Sequence, residues 1–148
     1  MRPIRTYILV ADGARARLLL SEGRGKPLTD VEGSERRQEL KPDHELAADR
    51  PGRVHESANV SRHAIEREDL HRREKERFAQ ALAPDLDQRL ARKEFERLLI
   101  AADPETLGVI RSALSAKVRA SVLGEVPKDL TKLANQQVKN ILSESFPI

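Results

Sequence analysis

Apolar residues gather in a few short aliphatic runs, Tyr7 to Ala11, Leu18 to Leu20, Leu98 to Ala102 and Val118 to Leu123, with long charged stretches between them. The first run, opened by Arg5-Thr6, is aromatic and β-branched, and Asp12-Gly13 separates it from a second run over Ala14 to Ser21. An Asp-Gly pair between two such runs predicts a hairpin, with glycine taking the positive φ of a tight turn. Arg15 and Arg17 alternate with Ala16 and Leu18, which puts both arginines on one face of the second strand. Gly23-Arg24-Gly25-Lys26 reads as another turn, into a weaker third strand around Leu28 to Glu32.

Residues 34 to 61 show neither apolar period and carry Pro42, Pro51 and Gly52 among many charges, so a long charged loop is expected there. Composition turns helical from Ser61. Arg62 to Arg77 is almost wholly charged, and only Phe78, Leu82, Leu86 and Leu90 form a stripe, predicting a helix whose first half projects into solvent. Pro84 places a kink or break near Ala83. Phe95 to Ala102 reads as a strand buried on both faces. Asp103-Pro104-Glu105 opens the next helix, whose buried stripe is Leu107, Ile110 and Leu114. Val118 to Leu123 is expected to be the last strand, and a final helix starts at Asp129 with Leu130, Leu133, Ala134, Val138 and Ile141 on one side.

The predicted order β-β-β-α-β-α-β-α calls for right-handed crossovers between parallel strands. It suits an α/β, ribonuclease H-like mixed sheet of five strands with the first strand central. At 148 residues one domain spanning 1–148 with one core is expected, burying roughly two-thirds of the unfolded surface.

Composition narrows the function classes. With no cysteine, disulfides, thiolate catalysis and finger-type zinc sites are excluded. No run of about eighteen apolar residues exists, and Met1-Arg2-Pro3-Ile4-Arg5 lacks the apolar core of a signal peptide, so a cytoplasmic location without membrane association is expected. The net charge of +3 is unevenly placed: residues 1 to 26 hold six Lys or Arg against Asp12 and Glu22. Such a basic face favours RNA or another polyanion.

Three segments carry a resemblance: Ile8-Leu9-Val10-Ala11-Asp12-Gly13-Ala14-Arg15-Ala16-Arg17, Asp49-Arg50-Pro51-Gly52-Arg53, and Val126-Pro127-Lys128-Asp129-Leu130-Thr131. In this order and spacing they resemble the bacterial family required for attachment to host cells, over nearly the whole chain. That family is similar to the middle domain of archaeal and eukaryotic translation release factors, in which a Gly-Gly-Gln loop leads into a long charged helix. The resemblance implies docking against ribosomal or transfer RNA. Here Arg50-Pro51-Gly52-Arg53-Val54-His55-Glu56-Ser57 stands in the comparable place, ahead of a helix from about Arg62, and Gly-Gly-Gln is missing. Peptidyl-tRNA hydrolysis is therefore not expected.

The candidate binding loop comprises Asp49, Arg50, Gly52, Arg53, His55 and Arg62. Pro51-Gly52 suits the centre of a type II turn, presenting Arg50 and Arg53 to a phosphate or carboxylate. Arg15 and Arg17 form a basic strand face. Asp12 and Asp103 both follow strands expected to be parallel, and are weak candidates for a Mg²⁺ nuclease site, each having an ordinary role as turn residue or helix cap. His55, His63 and His71 are spaced by eight, and eight residues on a helix turn about 80° away from a shared face, so His63 and His71 do not project together as ligands. The expected protein is a non-catalytic, cofactor-free module binding RNA or the ribosome. The alternatives are a regulatory protein-interaction module, self-associating or with another protein, and third a metal-dependent nuclease.

Overall fold

A computed structural model describes residues 3–40 and 57–148, the side chains of 57–61 excepted. The proposed loop residues Asp49, Arg50, Gly52, Arg53 and His55 lie outside the described residues. Strand β1 (Thr6–Ala11) pairs antiparallel with β2 (Arg15–Ser21), and β2 pairs with two short strands, β3 (Thr29–Asp30) and β4 (Arg36–Arg37). Helices α1 (Ser57–Gln80) and α2 (Leu82–Ala91) lead to β5 (Arg97–Ala102), which runs parallel to β1. Then come α3 (Pro104–Ala113), α4 (Ala116–Ser121), β6 (Val122–Val126) parallel to β5, and α5 (Asn135–Leu142).

The sheet is mixed, with the order β3-β2-β1-β5-β6 and β4 attached to β2. The first strand is internal, as its uniformly buried residues require. The sheet has six strands where five were expected, because Arg36–Arg37 inside the predicted loop adds to the outer side of β2. Two residues are too few to show alternation in sequence.

Alternation sorts the central strands into two apolar layers. Tyr7, Leu9 and Ala11 of β1 and Leu98, Ile100 and Ala102 of β5 face the layer built with α1 to α4, while Ile8, Val10, Leu99 and Ala101 face Leu130, Val138 and Leu142. Phe78, Leu82, Leu86 and Leu90 pack on the first layer as the stripe predicts. The helix breaks at Ala81, two residues before the expected point, which places Pro84 in the first turn of α2, where its missing N–H costs nothing. Helix α2 ends in a paired cap, with Glu94 N–H on Arg89 O and Lys93 N–H on Leu90 O. Lys93 takes the left-handed position that this cap requires, at φ 61°.

Four further expectations shift. The helix predicted from near Arg62 begins at Ser57. The third strand shrinks to Thr29–Asp30. The last strand is Val122–Val126, because Ser115 caps Val118 N–H (3.2 Å) and turns 116–121 into a short helix that buries Val118. The final helix begins at Asn135 and not at Asp129, whose carboxylate instead closes a turn on Thr131 N–H (2.9 Å).

Candidate functional site

Strands β1, β5 and β6 run parallel, so their carboxyl ends share one edge of the sheet, where open α/β sheets commonly bind ligands. There Asp12, Gly13 and Ala14 after β1, Asp103, Glu105 and Thr106 after β5, and Asp129 after β6 line a cleft of about 340 Å³. Helix α1 closes another wall with Lys75 and Glu76. Asp12 and Asp103 thus meet in one cleft, as their positions after parallel strands imply. Five carboxylates face a single lysine there.

Three of the carboxylates, Asp12, Asp103 and Asp129, hold backbone N–H groups. Asp12 Oδ1 accepts the N–H groups of Ala14 (2.8 Å) and Arg15 (2.7 Å), and Oδ2 accepts from Thr131 Oγ1 (3.2 Å) and Arg15 Nη2 (3.4 Å). Burial acts to raise the Asp12 pKa. The two backbone amides, the Thr131 hydroxyl and the Arg15 charge outweigh it and hold the carboxyl below its ordinary value. Thr131 Oγ1 also lies 2.6 Å from Asp129 Oδ1, so its one proton serves Asp12 or Asp129 at a time. Asp103 caps α3 by accepting Thr106 N–H (3.2 Å). Among the described residues no group of three or more His, Asp or Glu side chains is spaced to hold a metal ion.

Gly13 does not adopt positive φ, contrary to its predicted role in the turn. Its reason is contact: a Cβ there would lie 2.6 Å from Lys75 Cγ, so the stem of Lys75 rests on the bare backbone. Gln38 Nε2 donates to Gly13 O (2.8 Å) and Glu74 O (3.0 Å), tying the turn, the end of β4 and helix α1 together.

The opposite face of β2 carries the cations. Arg15 and Arg17 share one face, as the alternation predicts, and Arg37 of β4 stands directly opposite Arg15. Arg17 is committed to structure, donating to Thr131 O (2.8 Å) and Leu133 O (2.7 Å). Arg37 meets Glu35 (3.1 Å), both strongly exposed. Arg36 points to the other face and reaches Asp85 of α2 (3.4 Å). Arg62 is exposed on α1, and His63 lies 3.7 Å from Glu66.

Arg37 escaped the sequence reading because it sits in a stretch without periodicity. Thr131 left a signal: Asp129-Leu130-Thr131 is an Asp-x-Thr turn pattern. The hydrogen bonds explain why the first and third motif segments occur together, since Asp12 and Arg17 of one hold Thr131 of the other. A family described as "Protein required for attachment to host cells" matches residues 7–142. The chain matches no curated protein.

Proposed function

The chain belongs to the family required for attachment to host cells, and from that premise we propose that it is a non-catalytic module that docks on RNA, with ribosomal or transfer RNA as the target. The reading is carried by the cationic edge of the sheet, where Arg15 of β2 and Arg37 of β4 stand opposite each other with side chains about two-fifths and seven-tenths exposed. RNA binding by such a surface is driven by release of condensed counterions. The similarity of the family to release-factor middle domains supports the same target, and the lack of Gly-Gly-Gln supports docking without hydrolysis. Catalysis is further disfavoured by the duties of Asp12 and Asp103, each already holding backbone amides.

A protein-interaction module is the second reading, favoured by the acidic cleft, whose surplus of carboxylates suits a basic segment of a partner.

Co-sedimentation with ribosomes at graded salt tests the first reading. Binding should weaken steeply with salt, and Arg50→Glu with Arg53→Glu should weaken it further without unfolding the protein. Failure of the wild-type chain to bind ribosomes, ribosomal RNA or transfer RNA at low salt would favour the second reading. RNA cleavage that Asp12→Asn or Asp103→Asn removed from a folded protein would overturn the non-catalytic assignment.

A further inference from the structure

Strand β4 places Arg37 opposite Arg15, and the ladder pattern brings them close. Gln38 N–H bonds to Ala14 O (2.9 Å), so 14 and 38 form the hydrogen-bonded step. In an antiparallel ladder the steps alternate, which makes Arg15 and Arg37 a non-hydrogen-bonded pair, the kind whose facing side chains approach most closely. Like charges at such a step oppose folding. An edge strand of two residues could carry any polar pair, yet here it carries two guanidinium groups.

Among the described residues Asp12, Glu35 and Glu39 border the pair, and they offset it through contacts that are exposed or shared. Among the described residues Arg37 is paired with Glu35, which lies two residues earlier, just before β4, and is 65% exposed; such a pair contributes little in water. Arg15 reaches Asp12 at 3.4 Å, but that carboxylate also accepts the two turn amides and the Thr131 hydroxyl. Both arginines border an open hollow of about 440 Å³ beside Ala14, Gln38 and Glu39. They also line a 60 Å³ recess with Arg17, Glu35 and Thr131. Arg17 contributes fixed positive charge to that recess while its N–H groups hold the carbonyls of Thr131 and Leu133.

We infer that Arg15 and Arg37 form a seat for one phosphodiester of an RNA backbone, each guanidinium donating to a non-bridging oxygen. The inference rests on the RNA-docking reading and gives it a defined contact. The phosphate displaces Glu35 from Arg37 and relieves the repulsion across the ladder.

The seat is tested by binding of a labelled oligouridylate to the full chain at graded potassium chloride. Arg37→Gln should lower the salt slope by about one unit, and Arg15→Gln with Arg37→Gln by about two. The melting temperature of Arg37→Gln should equal or exceed that of the wild type, since a like-charged neighbour is removed. Equal loss of slope in a folded Arg72→Gln, Arg73→Gln variant would overturn the seat, because any two arginines would then serve. A wild-type slope in the folded double variant would also overturn it, while leaving RNA docking intact. Absence of wild-type binding to any RNA would instead remove the reading on which the seat rests.

Discussion

At the entry end of β1, Tyr7, Arg89, Asp85 and Glu94 close on one another; at its exit end, Asp12, Thr131 and Asp129 border a cleft that stays open. The closed end satisfies charge with charge. Buried Arg89 donates to Asp85 Oδ2 (2.8 Å) and Glu94 Oε1 (3.0 Å), the Tyr7 hydroxyl donates to Glu94 Oε1 (2.8 Å), and Phe95 stacks on Tyr7 at 5.0 Å. The open end satisfies carboxylates mostly with backbone amides and a hydroxyl, leaving a surplus of negative charge facing solvent. Both ends are tied by hydrogen bonds, and the exit end lines a cleft. Hydrogen bonding alone therefore does not separate a structural network from a binding site; shape and residual charge do.

The largest expected effect breaks the closed end. Arg89→Ala leaves Asp85 and Glu94 facing each other's charge without their shared donor, and should cost about 2–3 kcal/mol of unfolding free energy in urea titration. A cost near zero would mean that Arg36 and Arg92, which already approach Asp85 and Glu94, take over the pairing.

Next comes Asp12 at the open end. Asp12→Ala removes the acceptor for two turn amides and should cost about 1–2 kcal/mol. Because the folded-state pKa of Asp12 is lowered, its contribution is present above the ordinary carboxylate range and is lost as pH falls through the folded value. Wild-type stability should therefore fall more on acidification than that of Asp12→Asn. Parallel pH profiles of the two proteins would show that the turn amides, and not the charge, hold this end.

A smaller effect, of opposite sign, tests the cap joining α2 to the closed end. Lys93 occupies the left-handed position at a cost that glycine avoids. Lys93→Gly should stabilise the chain by about 1 kcal/mol, measured as a rise in melting temperature.

How much of this was legible follows from the length of each signal. Tyr7 to Ala11 and Leu98 to Ala102 are long apolar runs, and they are the two central strands. Arg15 and Arg17 fell on one face because alternation over a seven-residue strand leaves no other choice. Val118 misled because a β-branched residue at the head of a run ending in Val122-Leu123 looks like strand, while the hydroxyl of Ser115 and the four-residue spacing from Leu114 to Val118 commit it to a helix. Arg37 was hidden because a two-residue strand has no period, and its neighbour across the ladder lies 22 residues away in sequence. Asp12 and Asp103 were legible as a turn residue and a helix cap because the amides of Ala14, Arg15 and Thr106 that they hold are local, while the Thr131 hydroxyl on Asp12 was not, since it arrives from 119 residues further along the chain.

The smallest expected effect belongs to Tyr7→Phe, which leaves the stacked ring and removes only the hydroxyl. Glu94 keeps Arg89 as a donor, so the cost should be about 0.5 kcal/mol at neutral pH. At high pH the same hydroxyl is more informative. Burial, first, and then the hydrogen bond to Glu94 and its negative charge push the Tyr7 pKa up to about 12 from 10.0, against the smaller opposing pull of Arg89. The neutral phenol is thus favoured by the folded state, and stability that is complete below the unfolded value is lost as pH rises through the folded one. Tyr7 is the only tyrosine in the chain, and there is no tryptophan, so ultraviolet absorbance reports its ionisation without overlap. The folded protein should ionise well above the urea-unfolded chain, and Tyr7→Phe should lose less stability than the wild type between neutral and alkaline pH. Ionisation of folded protein at the ordinary tyrosine value would mean that solvent reaches the hydroxyl, and the entry end of β1 would then be no more closed than the cleft at its exit.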